Sequence, residues 1–118
     1  MSNAFQIGVD AFNKGDYATA LKEWEPLAEQ GDANAQFNLG LMYKTGQGVQ
    51  QDDQTAFNWF KLSAEQGNAD AQYNLGVMYD KGEGVVQDYV LAHMWGNIAA
   101  SQGDKDAIKH RDIVAKRM

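Results

Sequence analysis

The middle of the chain repeats one unit at a constant interval, and this periodicity limits the folds that the sequence can adopt. The motif Ala-Glu-Gln-Gly occupies residues 28–31 and 64–67, and Ala-Ser-Gln-Gly occupies residues 100–103, so the step is 36 residues. Within the copies, Ala-Gln-Phe-Asn-Leu-Gly at residues 35–40 matches Ala-Gln-Tyr-Asn-Leu-Gly at residues 71–76. A constant period of this length predicts a solenoid of stacked units, in which each unit packs on its neighbours.

The residues between these motifs predict an all-α fold of about seven helices. Apolar residues recur at helical spacing, and the only proline is Pro26. We expect one domain over residues 1–118, with units at about 4–31, 32–67 and 68–103 and a capping helix at 104–118. In that last helix Arg111 and Asp112 replace the Leu-Gly pair of the earlier units, as expected where a terminal unit faces water.

Acidic residues stand at the predicted helix starts. Their side chains are expected to cap the helices by accepting hydrogen bonds from backbone N–H groups. Calcium binding is the less favoured interpretation, because calcium needs several oxygens within one short loop. The residues concerned are Asp16, Asp32, Asp52, Asp88 and Asp104.

The composition argues against several classes of function. The net charge of −6 is opposite in sign to that of a nucleic-acid-binding surface, and no nucleic-acid partner is expected. The absence of cysteine excludes disulfides, thiolate metal sites and cysteine nucleophiles. No apolar run approaches the roughly 20 residues that span a bilayer, and no signal peptide is recognisable. The compartment stays open, because Met1–Ala4 is either a natural start or a remnant that replaced a leader, which leaves cytoplasmic and periplasmic or secreted locations.

No group of residues has the spacing of a catalytic or metal site. The two histidines, His93 and His110, belong to no His-x-x-x-His or Glu-x-x-His motif, and Gly-x-Ser-x-Gly is also lacking. The Gly-x-Gly motifs at residues 46–48 and 82–84 follow predicted helices rather than strands, so they are expected to be structural turns and not phosphate loops. We therefore expect no enzymatic activity, no metal and no cofactor.

The repeated residues resemble the Sel1-like repeat family. The pattern Ala-x3-Leu-Gly-x2-Tyr-x2-Gly-x-Gly-Val-x2-Asp-x3-Ala-x2-Trp-x4-Ala-x2-Gly runs from Ala35 to Gly67 and again from Ala71 to Gly103. The first helix pair is more similar to the related tetratricopeptide unit, through Gly8, Gly15-Asp-Tyr17 and Ala20-Leu21. The resemblance implies a right-handed α/α superhelix that acts as an adaptor. Such adaptors hold a protein or peptide on the concave face formed by the first helix of each pair.

First-helix residues that do not serve the core are expected to face this concave side. Leu39, Gly40 and Tyr43 are assigned to packing, and so are their counterparts in the next unit. Thr45 and Lys81 extend the same surface at the helix ends. The residues predicted to contact a partner are Phe5, Val9, Phe12, Asn13, Asn34, Phe37, Asn38, Leu41, Lys44, Asp70, Tyr73, Asn74, Val77 and Asp80.

Two features of this surface have alternative interpretations. Asn38 and Asn74 are placed like the asparagines that hold a peptide backbone in tetratricopeptide domains, or they bond only within their own repeat. Phe5, Phe37 and Tyr73 form an aromatic row that could anchor a partner, or part of the row is buried between units.

The tryptophans divide into two groups by their position within the 36-residue repeat. Trp59 and Trp95 recur at the same repeat position and are expected to be core residues. Trp24 is out of phase with them, because Glu23 occupies the equivalent position. Trp24 is therefore predicted to be more exposed and is a weak candidate for a partner contact.

Two other functions compete with the adaptor. The first is self-assembly, either through stacked solenoid ends or through an exposed apolar strip of Val90, Leu91 and Met94, so the chain is expected to be a monomer or a weak homo-oligomer. The second is a β-lactam-interacting hydrolase, because the resemblance includes cysteine-rich relatives linked to penicillin binding. The lack of cysteine in this chain makes that alternative the least favoured.

Overall fold

Residues 3–118, which the computed structural model describes, form seven α-helices. Each helix packs mainly against the helices before and after it, which gives an elongated stack of 46 × 28 × 24 Å. This arrangement confirms the predicted all-α solenoid. The helices are α1 (Ala4–Asn13), α2 (Tyr17–Glu29), α3 (Ala33–Thr45), α4 (Asp53–Glu65), α5 (Ala69–Lys81), α6 (Tyr89–Ala100) and α7 (Lys105–Arg117).

The helix starts confirm the predicted caps. Asp32 Oδ1 accepts a hydrogen bond from the backbone N–H of Ala35 at 2.9 Å, and the other predicted aspartates make the same kind of bond. Asn3 and Asn68 cap α1 and α5 in the same way. Each cap satisfies backbone N–H groups that the helix itself leaves unpaired.

The Gly-x-Gly motifs are turns, as predicted. Gly46 ends α3 in the left-handed region with φ +72°, and Gly48 follows with φ +75°. Glycine is favoured at both positions because a side chain strains this backbone conformation. A Cβ on Gly48 would also stand 2.7 Å from Cβ of Tyr17, so the turn lies directly on α2. Val49 then packs against the core, as expected.

The repeated apolar residues build the core between the units. Leu39, Met42 and their counterparts Leu75 and Met78 are at most 1% exposed. The predicted core residues Trp59 and Trp95 are partly buried and pack against the core as well. The small position on the first helix permits close packing, since a Cβ on Gly40 would lie 2.6 Å from the ring of Phe60.

Glutamines connect each unit to the next. Gln66 Nε2 donates to the carbonyl oxygen of Gly31 and to Oε1 of Gln36, both at 2.8 Å. Gln102 repeats this arrangement, with Gly67 at 3.1 Å and Gln72 at 2.7 Å. The bonds to Gly31 and Gly67 join loops that lie one repeat apart, and the bonds to Gln36 and Gln72 stay within one unit. Sequence reasoning overlooked this role, although the glutamines recur at the repeat interval.

The prediction that Trp24 is more exposed is wrong. The side chain is 3% exposed, and its Nε1 donates to the backbone oxygen of Phe5 at 3.1 Å. Trp24 stands one repeat before Phe60, which is also a core residue, rather than one repeat before Trp59. Being out of phase with the other tryptophans therefore does not expose Trp24, because the position that it shares with Phe60 is buried.

Candidate functional site

The predicted contact residues belong to the face formed by the first helix of each pair, α1, α3 and α5, which we call the first-helix face. Between α1 and α3 this face holds a cavity of about 210 Å³. The cavity brings together five of the predicted contact residues and adds Trp24 from α2. The lining residues are Val9, Phe12, Asn13, Trp24, Asn38 and Leu41.

The two recurring asparagines differ in their hydrogen bonds. Asn74 Nδ2 donates to the backbone oxygen of Asp70 at 2.8 Å, which lies one turn earlier in α5. Asn38 makes no such bond among the described residues and instead lines the cavity. The within-repeat interpretation therefore describes Asn74, whereas the amide of Asn38 is available to a ligand.

The residues of the predicted aromatic row are each half-buried and pack on different neighbours. The ring centroids of Phe5 and Trp24 are 6.1 Å apart, and those of Phe37 and Phe60 are 5.8 Å apart. Tyr73 makes an edge contact with His110 of α7 at 5.8 Å. Phe5 and Phe37 thus pack on the second helix of their own pairs. Only Tyr73 packs on the helix that follows its unit, so the second interpretation describes Tyr73 alone.

The phenol of Tyr73 lies in an acidic environment at the end of the first-helix face. Burial raises its pKa above the ordinary value, and the negative charges of Asp106 and Asp104 raise it further. Both acids belong to the start of α7, with Asp104 as its cap. The end of the first-helix face near α7 is therefore acidic, whereas the residues that line the cavity are uncharged.

Lys44 is held by two acids rather than left free for a partner. Its Nζ lies 3.3 Å from Asp53 and 3.2 Å from Glu83, which belongs to the turn after α5. Burial works to lower the pKa of Lys44, but the hydrogen bonds and charges of Glu83 and Asp53 outweigh it and the pKa is raised. The ammonium group thus joins α3 to the next unit.

The expectation that Asp80 is open to a partner on the concave side is wrong. Its side chain is 4% exposed, because α7 covers it. Arg117 Nη1 donates to both carboxylate oxygens, at 2.7 and 2.8 Å, and His110 Nε2 lies 3.3 Å from Oδ2. The carboxylate therefore holds α7 on α5, a role that sequence reasoning missed because the partner residues lie 30 and 37 positions away.

The remaining predicted contacts are spread along the face. Asn34 and Asp70 are exposed at the starts of α3 and α5, and Val77 is half-buried near the middle of α5. Asn34 accepts a weak hydrogen bond from Asn68 at 3.3 Å. Thr45 and Lys81 are exposed at the helix ends. None of these residues lines the cavity, so the structure does not unite all the predicted contacts in one place.

Within residues 3–118 there is no group of three or more His, Cys, Asp or Glu side chains that could hold a metal ion. The buried Nδ1 atom of His110 lacks a hydrogen-bond partner among these residues. In the same part of the chain, the helices are too short or too polar to cross a membrane.

An apolar strip lies on the exposed side of α6. Val86, Val90, Met94 and Ile98 follow one another at intervals of four residues and are 86%, 65%, 40% and 37% exposed. The first of them stands in the turn before the helix. The expected strip is therefore present, but Leu91 is half-buried and does not belong to its exposed row.

Comparison with known proteins identifies the repeats. The Sel1 repeat model matches residues 33–68 and 69–104. A Sel1 repeat protein from Oxalobacter formigenes has a similar structure, with a TM-score of 0.86 and 36% identity over 92% of this chain and 85% of the other. A protective antigen of uropathogenic Escherichia coli, described as displaying an SLR fold, has a TM-score of 0.85 and 37% identity over 88% of this chain.

Some relatives are much longer than this chain. The chain spans 23% of the Escherichia coli antigen. It is also 36% identical over 53 residues to an exopolysaccharide production negative regulator of Rhizobium leguminosarum bv. viciae, a match that covers 45% of this chain and 20% of the regulator. Together, the two matched repeats account for more than half of the described residues. The chain therefore belongs to the Sel1 repeat family.

Proposed function

We propose that the chain is a non-catalytic protein-interaction module that binds a peptide or protein on its first-helix face. The observation that carries this proposal is the cavity between α1 and α3, whose lining includes five of the predicted contact residues. Family membership supports a protein partner, because Sel1 repeats are typically protein-protein interaction modules. The Rhizobium leguminosarum relative, named as a negative regulator, is consistent with a module that acts by binding.

Site-specific photo-crosslinking tests the binding face. A photo-crosslinking amino acid is introduced at Asn38, which lines the cavity, and in a separate variant at Lys61, which is exposed on α4. We expect adducts with a partner from native cells at Asn38 and none at Lys61. Two further variants carry the crosslinking amino acid at Asn34 and Asp70, which are exposed on α3 and α5. Adducts confined to Lys61, or no adduct at any of the three first-helix positions, would contradict binding on this face.

Self-assembly through the α6 strip is the second candidate function. Its four apolar side chains are exposed, and no charged residue occurs between Tyr89 and Ala100. At the matching positions of α4 the side chains are Gln54, Asn58 and Leu62, so the strip is a feature of one unit and not of the repeat. An apolar row without charges favours contact with another apolar surface, including that of a second copy.

Sedimentation over a range of protein concentrations distinguishes the two candidates. If the strip mediates self-association, Met94→Lys abolishes a concentration-dependent dimer, while the matched change Asn58→Lys on α4 leaves it intact. A monomer at every concentration argues against this candidate and does not affect the adaptor proposal. Both variants should keep the helical circular dichroism of the parent chain, because both positions are exposed.

A further inference from the structure

The second helix of each pair carries a residue of decreasing size at one repeat position. Trp24 on α2, Phe60 on α4 and Gly96 on α6 stand 36 residues apart. Each lies beside the first helix of its own pair, since a Cβ on Gly8 would collide with the Trp24 indole and a Cβ on Gly40 would touch Phe60. The side chain at this position therefore fills the space beside the first helix most fully in the first unit, less in the second and not at all in the third.

At the glycine end, the space between the first helices is closed. Gly96 lies next to α7, since a Cβ there would be in ordinary van der Waals contact with Cβ of Arg111 at 3.5 Å. α5 and α7 are in direct contact, through the Tyr73–His110 ring pair and the Asp80–Arg117 ion pair. The middle position is filled differently, because Phe37 packs over Phe60.

At the tryptophan end, a cavity stays open. The Trp24 ring forms part of its lining, with Phe5 and Phe12 beside the ring at centroid distances of 6.1 and 5.7 Å. The walls are Val9, Phe12 and Asn13 of α1 and Asn38 and Leu41 of α3. The Trp24 ring thus gives the gap between α1 and α3 an aromatic floor.

We infer that this cavity is an anchor site for one uncharged, apolar side chain of a bound peptide segment. The inference rests on the proposed function and names the chemistry of its partner. The anchor enters between α1 and α3 and contacts Trp24, while the amides of Asn13 and Asn38 bond to the peptide groups on either side of it. The closed gap between α5 and α7 accepts no anchor.

Size and polarity select this occupant. At about 210 Å³ the cavity is smaller than the roughly 300–1,000 Å³ of pockets that enclose a whole small ligand, so it suits one side chain of a larger partner. Its lining contains no charged residue, and a charged anchor would lose its hydration without gaining an ion pair. An amide can both donate and accept hydrogen bonds, as a peptide backbone requires.

A matched pair of variants tests the anchor site. Peptides are selected from a random library displayed on phage against the unaltered chain, and their affinities are then measured for Asn38→Trp and Asn74→Trp. The first change fills the cavity, and the second makes the same substitution one repeat later. Asn13→Trp fills the cavity from the opposite wall, which keeps the test valid if Asn38→Trp fails to fold by circular dichroism.

The expected result has two parts. Selected peptides share one large apolar residue, and replacing it by alanine weakens binding by about 10- to 100-fold, as burial of such a side chain implies. Asn38→Trp causes a loss of the same order, whereas Asn74→Trp changes the affinity by less than about threefold.

Other results overturn the inference in distinguishable ways. Peptides that bind equally well to both cavity-filling variants but lose affinity for Asn74→Trp would place the site elsewhere on the first-helix face and leave the proposed function standing. Crosslinks at Asn38 without any selected peptide would indicate a folded partner surface instead of a peptide anchor. Failure of both the selection and the crosslinking would overturn the anchor and the proposed function together.

Discussion

Lys44 and Asp80 occupy the same position in successive units, and each is neutralised by charges from the following unit. Lys44 meets Glu83 at 3.2 Å and also Asp53 of α4, and Asp80 meets Arg117 at 2.7 Å. The residue is a cation in the second unit and an anion in the third, and its partner has the opposite charge in each case. A charged residue at this position therefore contacts the next unit in both cases, although the partner comes from a turn in the first pair and from the end of α7 in the second.

Removing the Asp80 carboxylate should loosen α7. We expect Asp80→Ala to lower the free energy of unfolding by about 1–2 kcal/mol, less than the loss for a fully buried pair, because Arg117 is 48% exposed. Urea denaturation followed by circular dichroism measures the change. Glu25→Ala, at an exposed position of α2, is the control and should change stability by less than about 0.5 kcal/mol. Equal losses in the two variants would show that the ion pair does not stabilise the docking of α7.

At the scale of the helices, local signals were readable from the sequence and long-range ones were not. The caps and the glycine turns depend on residues within one turn of the helix end, so their spacing sufficed to predict them. The burial of Trp24 follows from its place one repeat before Phe60, and a comparison with the other tryptophans alone does not reveal that this position is buried. The cavity depends on the distance between α1 and α3, which the sequence pattern does not contain.

The α4 cap should make the stability of that helix sensitive to acid. Asp52 accepts hydrogen bonds from the Thr55 hydroxyl at 2.8 Å and from the backbone N–H groups of Thr55 and Gln54. The Thr55 hydroxyl and then its N–H hold the pKa of Asp52 below the ordinary value of 3.8, although its slight burial acts in the opposite direction. A lowered pKa in the folded state means that the ionised cap stabilises the fold above about pH 4 and that this contribution is lost as the pH falls through the folded pKa.

Comparison with Asp52→Asn isolates this contribution. The asparagine retains an oxygen that can cap the helix but has no carboxylate to protonate. We expect the parent chain to have the higher melting temperature near pH 7 and the difference to shrink as the pH is lowered from about 5 to 3. Glu25→Gln, which is remote from any helix start, provides the control. The difference between its melting temperature and that of the parent should not shrink in the same way between about pH 5 and pH 3. If the difference in melting temperature between Asp52→Asn and the parent does not change with pH, the ionised carboxylate of Asp52 does not make the assigned contribution to stability.

At the scale of the whole molecule, polar bonds supplement the apolar contacts between units. Gln66 bonds back to Gly31 and Gln36, and Gln102 makes the same contacts one repeat later. In a solenoid, each unit is stabilised mainly through its interface with the next, so bonds that cross this interface contribute to cooperative unfolding. Gln30 stands at the same repeat position in the first unit, and its side chain is exposed without a bond to an earlier loop in the described residues.

This difference makes Gln30 a matched control for Gln66. Gln66→Ala removes one hydrogen bond to the preceding unit, at Gly31, and one within its own unit, at Gln36, so we expect the free energy of unfolding to fall by about 1–2 kcal/mol. Gln30→Ala makes the same chemical change in the first described unit, where no earlier repeat is present to bond to. It should lower the free energy of unfolding by less than about 0.5 kcal/mol. Urea unfolding monitored separately by Trp24 and Trp95 fluorescence, in chains that retain one tryptophan, would report whether the two ends still unfold together. If Gln66→Ala matches Gln30→Ala in stability and keeps one coincident transition, the glutamine bonds do not couple the units, and the apolar interface alone does so.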